Sequence, residues 1–237
     1  MITHADIDSN TMHINDQDIA DYGVLVQSFK VGGTKVASEI FQGENRTSFN
    51  VLSSNRSMRT ITVSLFYQAQ TRRELSIIKS RLDYMMMDGR VELFLPDNFF
   101  YSAYLTSAGD EQILGVEDDK VIALCTYTFE GIRHDALETI YLASGGQMQC
   151  KSTVPKTDCR LRCTCQSAHQ SITIGTVTIT NVARYDVLEV DGILGRILQN
   201  GAPCAGNMEF IHFPSLVPGV NTIPCPETLT VEYYPTY

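Results

Sequence analysis

Arg59-Thr-Ile-Thr-Val-Ser-Leu-Phe-Tyr67 decides the fold class. Ile61, Val63, Leu65 and Tyr67 share one face of this stretch, and Thr60, Thr62 and Ser64 share the other. β-Branched and aromatic residues alternating with period two form a strand with one buried face. Residues 121–129 (VIALCTYTF) repeat the pattern, with Ala123, Cys125, Tyr127 and Phe129 on one face. Residues 171–180 (SITIGTVTIT) and 229–233 (LTVEY) repeat it again, the first broken by Gly175, where a bulge is expected. Asp191-Gly192 and Asn200-Gly201 offer the positive φ of tight hairpins, and Pro218-Gly219 fits a type II turn. Short strands with such turns predict a mainly β chain built of sandwiches or small barrels.

One helix interrupts the strands, predicted at about residues 72–88. Thr71-Arg-Arg-Glu74 is a capping box, in which the threonine hydroxyl bonds the Glu74 amide and the carboxylate reaches back. Leu75, Ile78, Leu82 and Met85 follow at steps of three and four, and Asp88-Gly89 supplies the left-handed end. A single amphipathic helix must cover a sheet or face a partner, because it cannot bury its stripe alone. Pattern is weakest over residues 131–156, so a domain boundary is expected near Ser144. It divides an N-terminal β domain with the helix (1–143) from a purely β domain (144–237).

Composition narrows the function. The 237 residues carry 18 basic and 27 acidic side chains, a net charge of −9. That balance argues against gripping nucleic-acid backbones or anionic membranes, both of which need clustered Lys and Arg. The longest strictly apolar run, residues 121–125, is five residues, against the roughly 18 needed to span a bilayer. Residues 1–6 lack the basic and apolar regions of a secretory signal, so no membrane insertion or ordinary export is expected.

Seven cysteines leave at least one unpaired. Cys150, Cys159, Cys163 and Cys165 stand at gaps of eight, three and one, unlike the paired short spacings of zinc sites. Cys159, Leu161, Cys163 and Cys165 alternate with Arg160, Arg162 and Thr164, as in a half-buried strand, where free Cys acts as a small hydrophobe. Buried free thiols are expected, with metal or disulfide as the alternative.

Other fragments offer less chemistry than they suggest. Asp6-Ile-Asp-Ser-Asn10 starts like a calcium loop, but Thr11 and Gln17 stand where Gly and the bidentate Glu are needed. Ser76-Ile-Ile-Lys79 matches an acylated-serine motif without its partner motifs, and Lys79 reads as a solvated helix lysine. Glu117-Asp118-Asp119 reads as a solvated hairpin loop. His4, His13, His134, His169 and His212 show no ligand pairing, and phosphate loops, nucleophile elbows and H-E-x-x-H are absent. No catalytic, cofactor-binding or metal residues are assigned, and the expected class is non-enzymatic, without cofactors.

An ordered set of motifs carries a resemblance. It comprises Tyr22-Gly-Val-Leu-Val-Gln-Ser-Phe-Lys30, the 59–67 strand, Leu82-Asp-Tyr-Met-Met-Met-Asp-Gly89, Val91-Glu-Leu-Phe-Leu-Pro-Asp-Asn-Phe-Phe-Tyr101 and the 121–129 strand. Leu188-Glu-Val-Asp-Gly192, Phe213-Pro-Ser-Leu-Val-Pro-Gly-Val-Asn221 and Val231-Glu-Tyr-Tyr-Pro235 complete it. Together they resemble the distal tail protein (Dit) family of long, non-contractile bacteriophage tails. The resemblance implies an N-terminal domain that assembles as a homo-hexameric ring and a galectin-like C-terminal β-sandwich on its outside. It implies a tail-tip hub, assembled in the host bacterial cytoplasm. Its partners would be the tail tube protein, tail-associated tip proteins and receptor-binding proteins, with DNA passing through the ring. The alternative is a soluble carbohydrate-binding sandwich. That reading is weakened by the absence of Trp, the galectin residue that stacks on sugar, although Tyr or Phe could stack instead.

Overall fold

The computed structural model describes residues 12–34, 36–42, 49–56, 58–87, 89–204, 206–210 and 212–237. The calcium-like fragment at Asp6 lies outside these residues. The chain separates into two compact units, Met1–Arg133 and His134–Tyr237. This division precedes the boundary expected near Ser144. Glu138–Leu142 pairs with Leu229–Tyr233 in the register Ile140↔Val231, and so belongs to a C-terminal sheet.

In the first unit one antiparallel sheet runs Gln17–Asp18, His13–Ile14, Val91–Phe94, Phe100–Ala108, Lys120–His134, Arg59–Ala69, Val24–Val31. Its centre is the ladder between Arg59–Ala69 and Lys120–His134. The apolar faces read from sequence meet there: Ile61↔Phe129, Val63↔Tyr127, Leu65↔Cys125 and Tyr67↔Ala123 are cross-strand partners, and all eight are buried. On the opposite face Thr126↔Ser64, Thr128↔Thr62 and Glu130↔Thr60 pair polar with polar, whereas Leu124↔Phe66 is an apolar pair, and Ser64 Oγ lies 3.0 Å from Thr126 Oγ1. Val36–Gln42 and Phe49–Arg56 form a separate two-stranded hairpin. Gln112–Glu117 folds back on Lys120–His134 through a turn at Asp118 (φ 47°) and Asp119 (φ 61°). Glu117, Asp118 and Asp119 are exposed, as a solvated hairpin loop requires.

The helix spans Arg72–Met87. Thr71 Oγ1 accepts from the Glu74 amide at 3.1 Å, while the Glu74 carboxylate reaches past Thr71 to the Gln70 amide at 2.9 Å. Gly89 takes the expected left-handed φ of 74°. Leu75, Leu82 and Met86 are fully buried, with Ile78 and Met85 half-buried beside them. Met86 takes the place expected for Met85, because steps of four bring it under Leu82.

A polar chain fastens this helix to the sheet. Lys79 Nζ pairs with Asp83 Oδ2 at 2.7 Å, and Tyr127 donates to Asp83 Oδ1 at 2.7 Å. The hydroxyls of Tyr67 and Tyr127 lie 2.8 Å apart. Burial pushes both phenols above their ordinary value. Lys79 is therefore no solvated lysine. Desolvation would lower its pKa, but the pairing with Asp83 outweighs it and holds the ammonium above its usual value.

In the second unit a sheet runs Glu138–Leu142, Leu229–Tyr233, Thr157–Thr164, Val187–Asp191, Arg196–Gln199, Ala202–Pro203, and Ser215–Leu216 also pairs with Thr157–Thr164. A three-stranded sheet of His169–Ile174, Val177–Val182 and Met208–Phe210 and the pair Gln147–Cys150/Gly219–Thr222 complete the unit. Cys159, Leu161, Cys163 and Cys165 are buried as their alternation predicts.

Two glycines differ from expectation. Gly175 turns a hairpin rather than bulging a strand, since Ile174 pairs with Val177 around it. Its φ is 60°, and a Cβ there would stand 2.8 Å from Leu161 Cδ1. Gly192 lacks a positive φ; it is needed for space, because a Cβ would meet Pro214 O at 2.6 Å. Asn200 and Gly201 take the predicted positive φ values of 53° and 79°.

Replacing Leu82 with Asp places an unpaired charge in the first core. Thermal or denaturant unfolding of Leu82→Asp is expected to show a loss of at least about 3 kcal/mol. An unchanged melting temperature would mean that the stripe faces solvent.

Candidate functional site

Thr157–Thr164 delivers Cys163 to the second core, and the chain then turns at Cys165. The Cys165 amide donates to Asp186 O at 3.0 Å, and the Tyr185 amide donates back to Cys165 O at 2.7 Å. Asp186 anchors this corner, accepting from Ala183 N, Gln199 Nε2 and Asn200 Nδ2, each at 2.7 Å. These donors, Asn200 first, hold its carboxyl below the usual carboxylate range. Cys165 is thus fixed at a strand end, fully buried.

Four residues on, His169 opens the next strand, and Glu227 arrives from the loop before Leu229–Tyr233. His169 Nε2 lies 2.8 Å from Glu227 Oε1. Glu227 Oε1 also accepts from the Gln166 amide at 3.1 Å, and Ser167 Oγ lies 3.3 Å from His169 Nε2. The His169 bond holds the Glu227 carboxyl below its ordinary value. One ligand atom each from Cys165, His169 and Glu227 lies within 4.8 Å of the other two. Two further thiols stand beside them. Cys163 neighbours both Cys225 and Cys165; the Cys225 thiol beside it and its burial push the Cys163 thiol up. The neighbouring Cys163 in turn holds the Cys225 thiol below its usual value.

Spacing along the chain argued against ligands here, and the fold gathers them nonetheless. Glu227 is 58 residues from His169, a separation that no local motif reports. The one local signal is the C-x3-H of Cys165 and His169. Other singled-out residues stay apart. His212 Nδ1 donates to Phe213 O at 3.0 Å, and His134 Nδ1 lies 2.8 Å from Asp135 O. All seven cysteines are free and buried, as expected.

The first unit offers a different kind of surface. Every residue of Gln112–Glu117 is exposed, including Ile113, Leu114 and Val116, the last at 70%. Asp110, Glu111, Glu117, Asp118 and Asp119 surround these apolar residues and are also exposed. On the helix, Ile77, Tyr84 (75%) and Met87 face outward. Clustered exposed apolar residues rimmed by charge mark contact surfaces. No helix among the described residues is long and apolar enough to cross a membrane.

At the level of sequence, no family model and no curated protein matches the chain. Solved structures do share its fold. The crystal structure of the SPP1 Dit (gp 19.1) protein, described as a paradigm of the hub adsorption apparatus in phages infecting Gram-positive bacteria, aligns over 96% of this chain and 99% of that one. The TM-score is 0.74 at 15% identity. The phage P2 baseplate in its activated conformation, solved with Ca, aligns over 95% and 97% with TM-score 0.58 at 8% identity. Its counterpart with Sr gives 0.55 at 9%.

Asp186 yields a pH-dependent prediction. Its carboxyl pKa is lowered by folding, so its contribution is complete above the ordinary carboxylate range of about pH 4 and is lost as pH falls through the folded value. Asp186→Asn should lower stability at pH 7, and the gap from the parent should close in acid. A gap that stays constant down to pH 2 would refute this. Thiol titration of the unfolded, chelator-treated chain should count seven.

The fold is shared with the SPP1 Dit protein across both units of this chain.

Proposed function

We propose that this chain is a structural hub subunit of a phage or prophage tail tip. It assembles through its N-terminal unit into a homo-hexameric ring that joins the tail tube to the tip and host-adhesion proteins. The galectin-like C-terminal unit faces outward. The observation that carries this reading is the extent of the shared fold, 96% of the chain at a TM-score of 0.74. A lectin-like sandwich would account for the second unit alone. The exposed apolar residues of Gln112–Glu117 and of the outer helix face are suited to subunit or tail-protein contacts. The work is mechanical and needs no catalysis.

Charge is consistent with a passage for DNA. Met1–Arg133 contains 12 basic and 18 acidic residues, a net charge of −6, against 6 and 9 in His134–Tyr237. A ring wall drawn from the more acidic unit repels the phosphate backbone and lets it slide. The carbohydrate-binding reading draws on Tyr141 and Tyr185, exposed rings in the second unit. Arg184 already stacks on Tyr185 at 4.5 Å from the ring centre, and Tyr141 stands as the freer of the two platforms.

Electron microscopy and light scattering of the purified chain at micromolar concentration should show annular particles of six subunits. A strictly monomeric protein would overturn the hub reading, and a monomer that binds glycans would establish the alternative. The assembled ring should show no tight binding to duplex DNA at about 50 mM salt, where electrostatic attraction is strong. Salt-sensitive, tight binding there would show a basic channel.

A further inference from the structure

The hub role leaves the thiol, imidazole and carboxylate cluster of the second unit without a task. The hydrogen bond between His169 and Glu227 explains two of its members. It does not explain why Cys165 Sγ lies within 4.8 Å of both, nor why Cys163 and Cys225 lie near it. Thiols acting only as small hydrophobes need not converge on a polar pair. Elsewhere Cys159 simply fills apolar space, and its burial pushes the thiol up to about 12.

We propose that Cys165, His169 and Glu227 form a binding site for a tetrahedral divalent transition metal, with zinc the ion that fits best. The donor set is one sulfur, one nitrogen and one oxygen, all ligand types that zinc takes at about 2.0–2.3 Å. Tetrahedral geometry at those bond lengths separates ligand atoms by roughly 3.3–3.8 Å. The 2.8 Å contact of His169 and Glu227 then opens by about half an ångström, and the imidazole exchanges its carboxylate partner for the metal. Thiolate and imidazole together select against magnesium and calcium, which prefer oxygen alone.

Supporting contacts are in place. Gln166 N donates to Glu227 Oε1, which orients the carboxylate. Cys165 is held on both sides by backbone bonds to the 185–186 turn. The side chains of His169 and Glu227 are 20% and 10% exposed, while Cys165 is 0% exposed. An ion can therefore enter from the His169 side, where water completes the fourth position. A substrate cannot reach the buried sulfur, so the arrangement suits a structural clip. It ties the end of Thr157–Thr164 and the start of His169–Ile174 to the loop before Leu229–Tyr233, where Glu227 lies 58 residues beyond His169 in sequence. Closing such loops stabilises the folded unit by mass action.

The test uses the full chain, stripped with a chelator and titrated with Co2+ alone. One Co2+ should bind per chain, giving the visible bands of tetrahedral cobalt and a near-ultraviolet sulfur-to-cobalt charge-transfer band. Zn2+ should displace it and raise the melting temperature. Cys165→Ser should remove the charge-transfer band. His169→Ala and Glu227→Gln should each weaken binding by more than the about 10–100-fold that changes outside the ligand set cost. The parent protein decides the matter even if a variant fails to fold. Absence of stoichiometric Co2+ and Zn2+ binding there overturns the proposal, as does an octahedral spectrum without charge transfer. Binding unchanged by Cys165→Ser in a folded variant overturns it too.

Discussion

The ladder between Arg59–Ala69 and Lys120–His134 is the constraint on which the first unit depends. Its eleven register pairs run from Val121↔Ala69 to Gly131↔Arg59 without a slip. A one-residue shift would turn every apolar side chain to the polar face, so the buried set and the register enforce each other. Strands add outward from this pair on both sides, and Leu75, Leu82 and Met86 bring the helix into the same core. Tyr127 belongs to both structures at once. It packs opposite Val63 in the ladder and donates to Asp83 on the helix. Its hydroxyl fixes where the helix sits, because a buried phenol must find a partner.

Much of this was legible because it is periodic. Alternation identified the faces of residues 59–67 and 121–129, and the capping box placed the helix start at Thr71. What periodicity could not resolve were events one residue long. At Gly175 the apolar positions shift from Ile172 and Ile174 to Val177 and Ile179, a change of phase that a one-residue bulge and a two-residue hairpin both produce. Gly192 looked like a positive-φ position because Asp-Gly usually is one; its reason, the approach of Pro214 O, lies in a segment more than twenty residues later. Lys79 looked solvated because the Tyr127 ring beside it, 5.9 Å from Nζ, comes from a strand remote in sequence.

The site was less legible than the fold for the same reason at larger scale. Cysteine on an alternating strand carries the signal of a small hydrophobe, and Cys159 and Cys163 satisfy it. The polar members that give Cys165 a different meaning arrive through topology. Leu229–Tyr233 pairs with Thr157–Thr164 so that Leu229 stands opposite Cys163. That register carries the preceding loop, with Cys225 and Glu227, back to the strand end where Cys165 and His169 lie. Nothing local to residues 150–169 encodes this return.

The low identity of the shared fold, 15% over nearly the whole chain, follows from what this architecture demands. A buried strand face requires apolar side chains of roughly suitable volume, and cores accept extensive exchange if volume and pattern are kept. Alternation therefore survives where residue identity does not, and detailed sequence matching loses the relationship before the fold does. The exposed residues are under no such packing constraint. Ile113, Leu114 and Val116 gain nothing from the core, and exposed apolar surface on a solvated hairpin carries a risk of aggregation. Their acidic neighbours Asp110, Glu111, Glu117, Asp118 and Asp119 limit that risk while the subunit is free, through mutual repulsion. In an assembly the same repulsion must be overcome, so apolar contact and charge oppose each other on this hairpin, and higher salt tips the balance toward association.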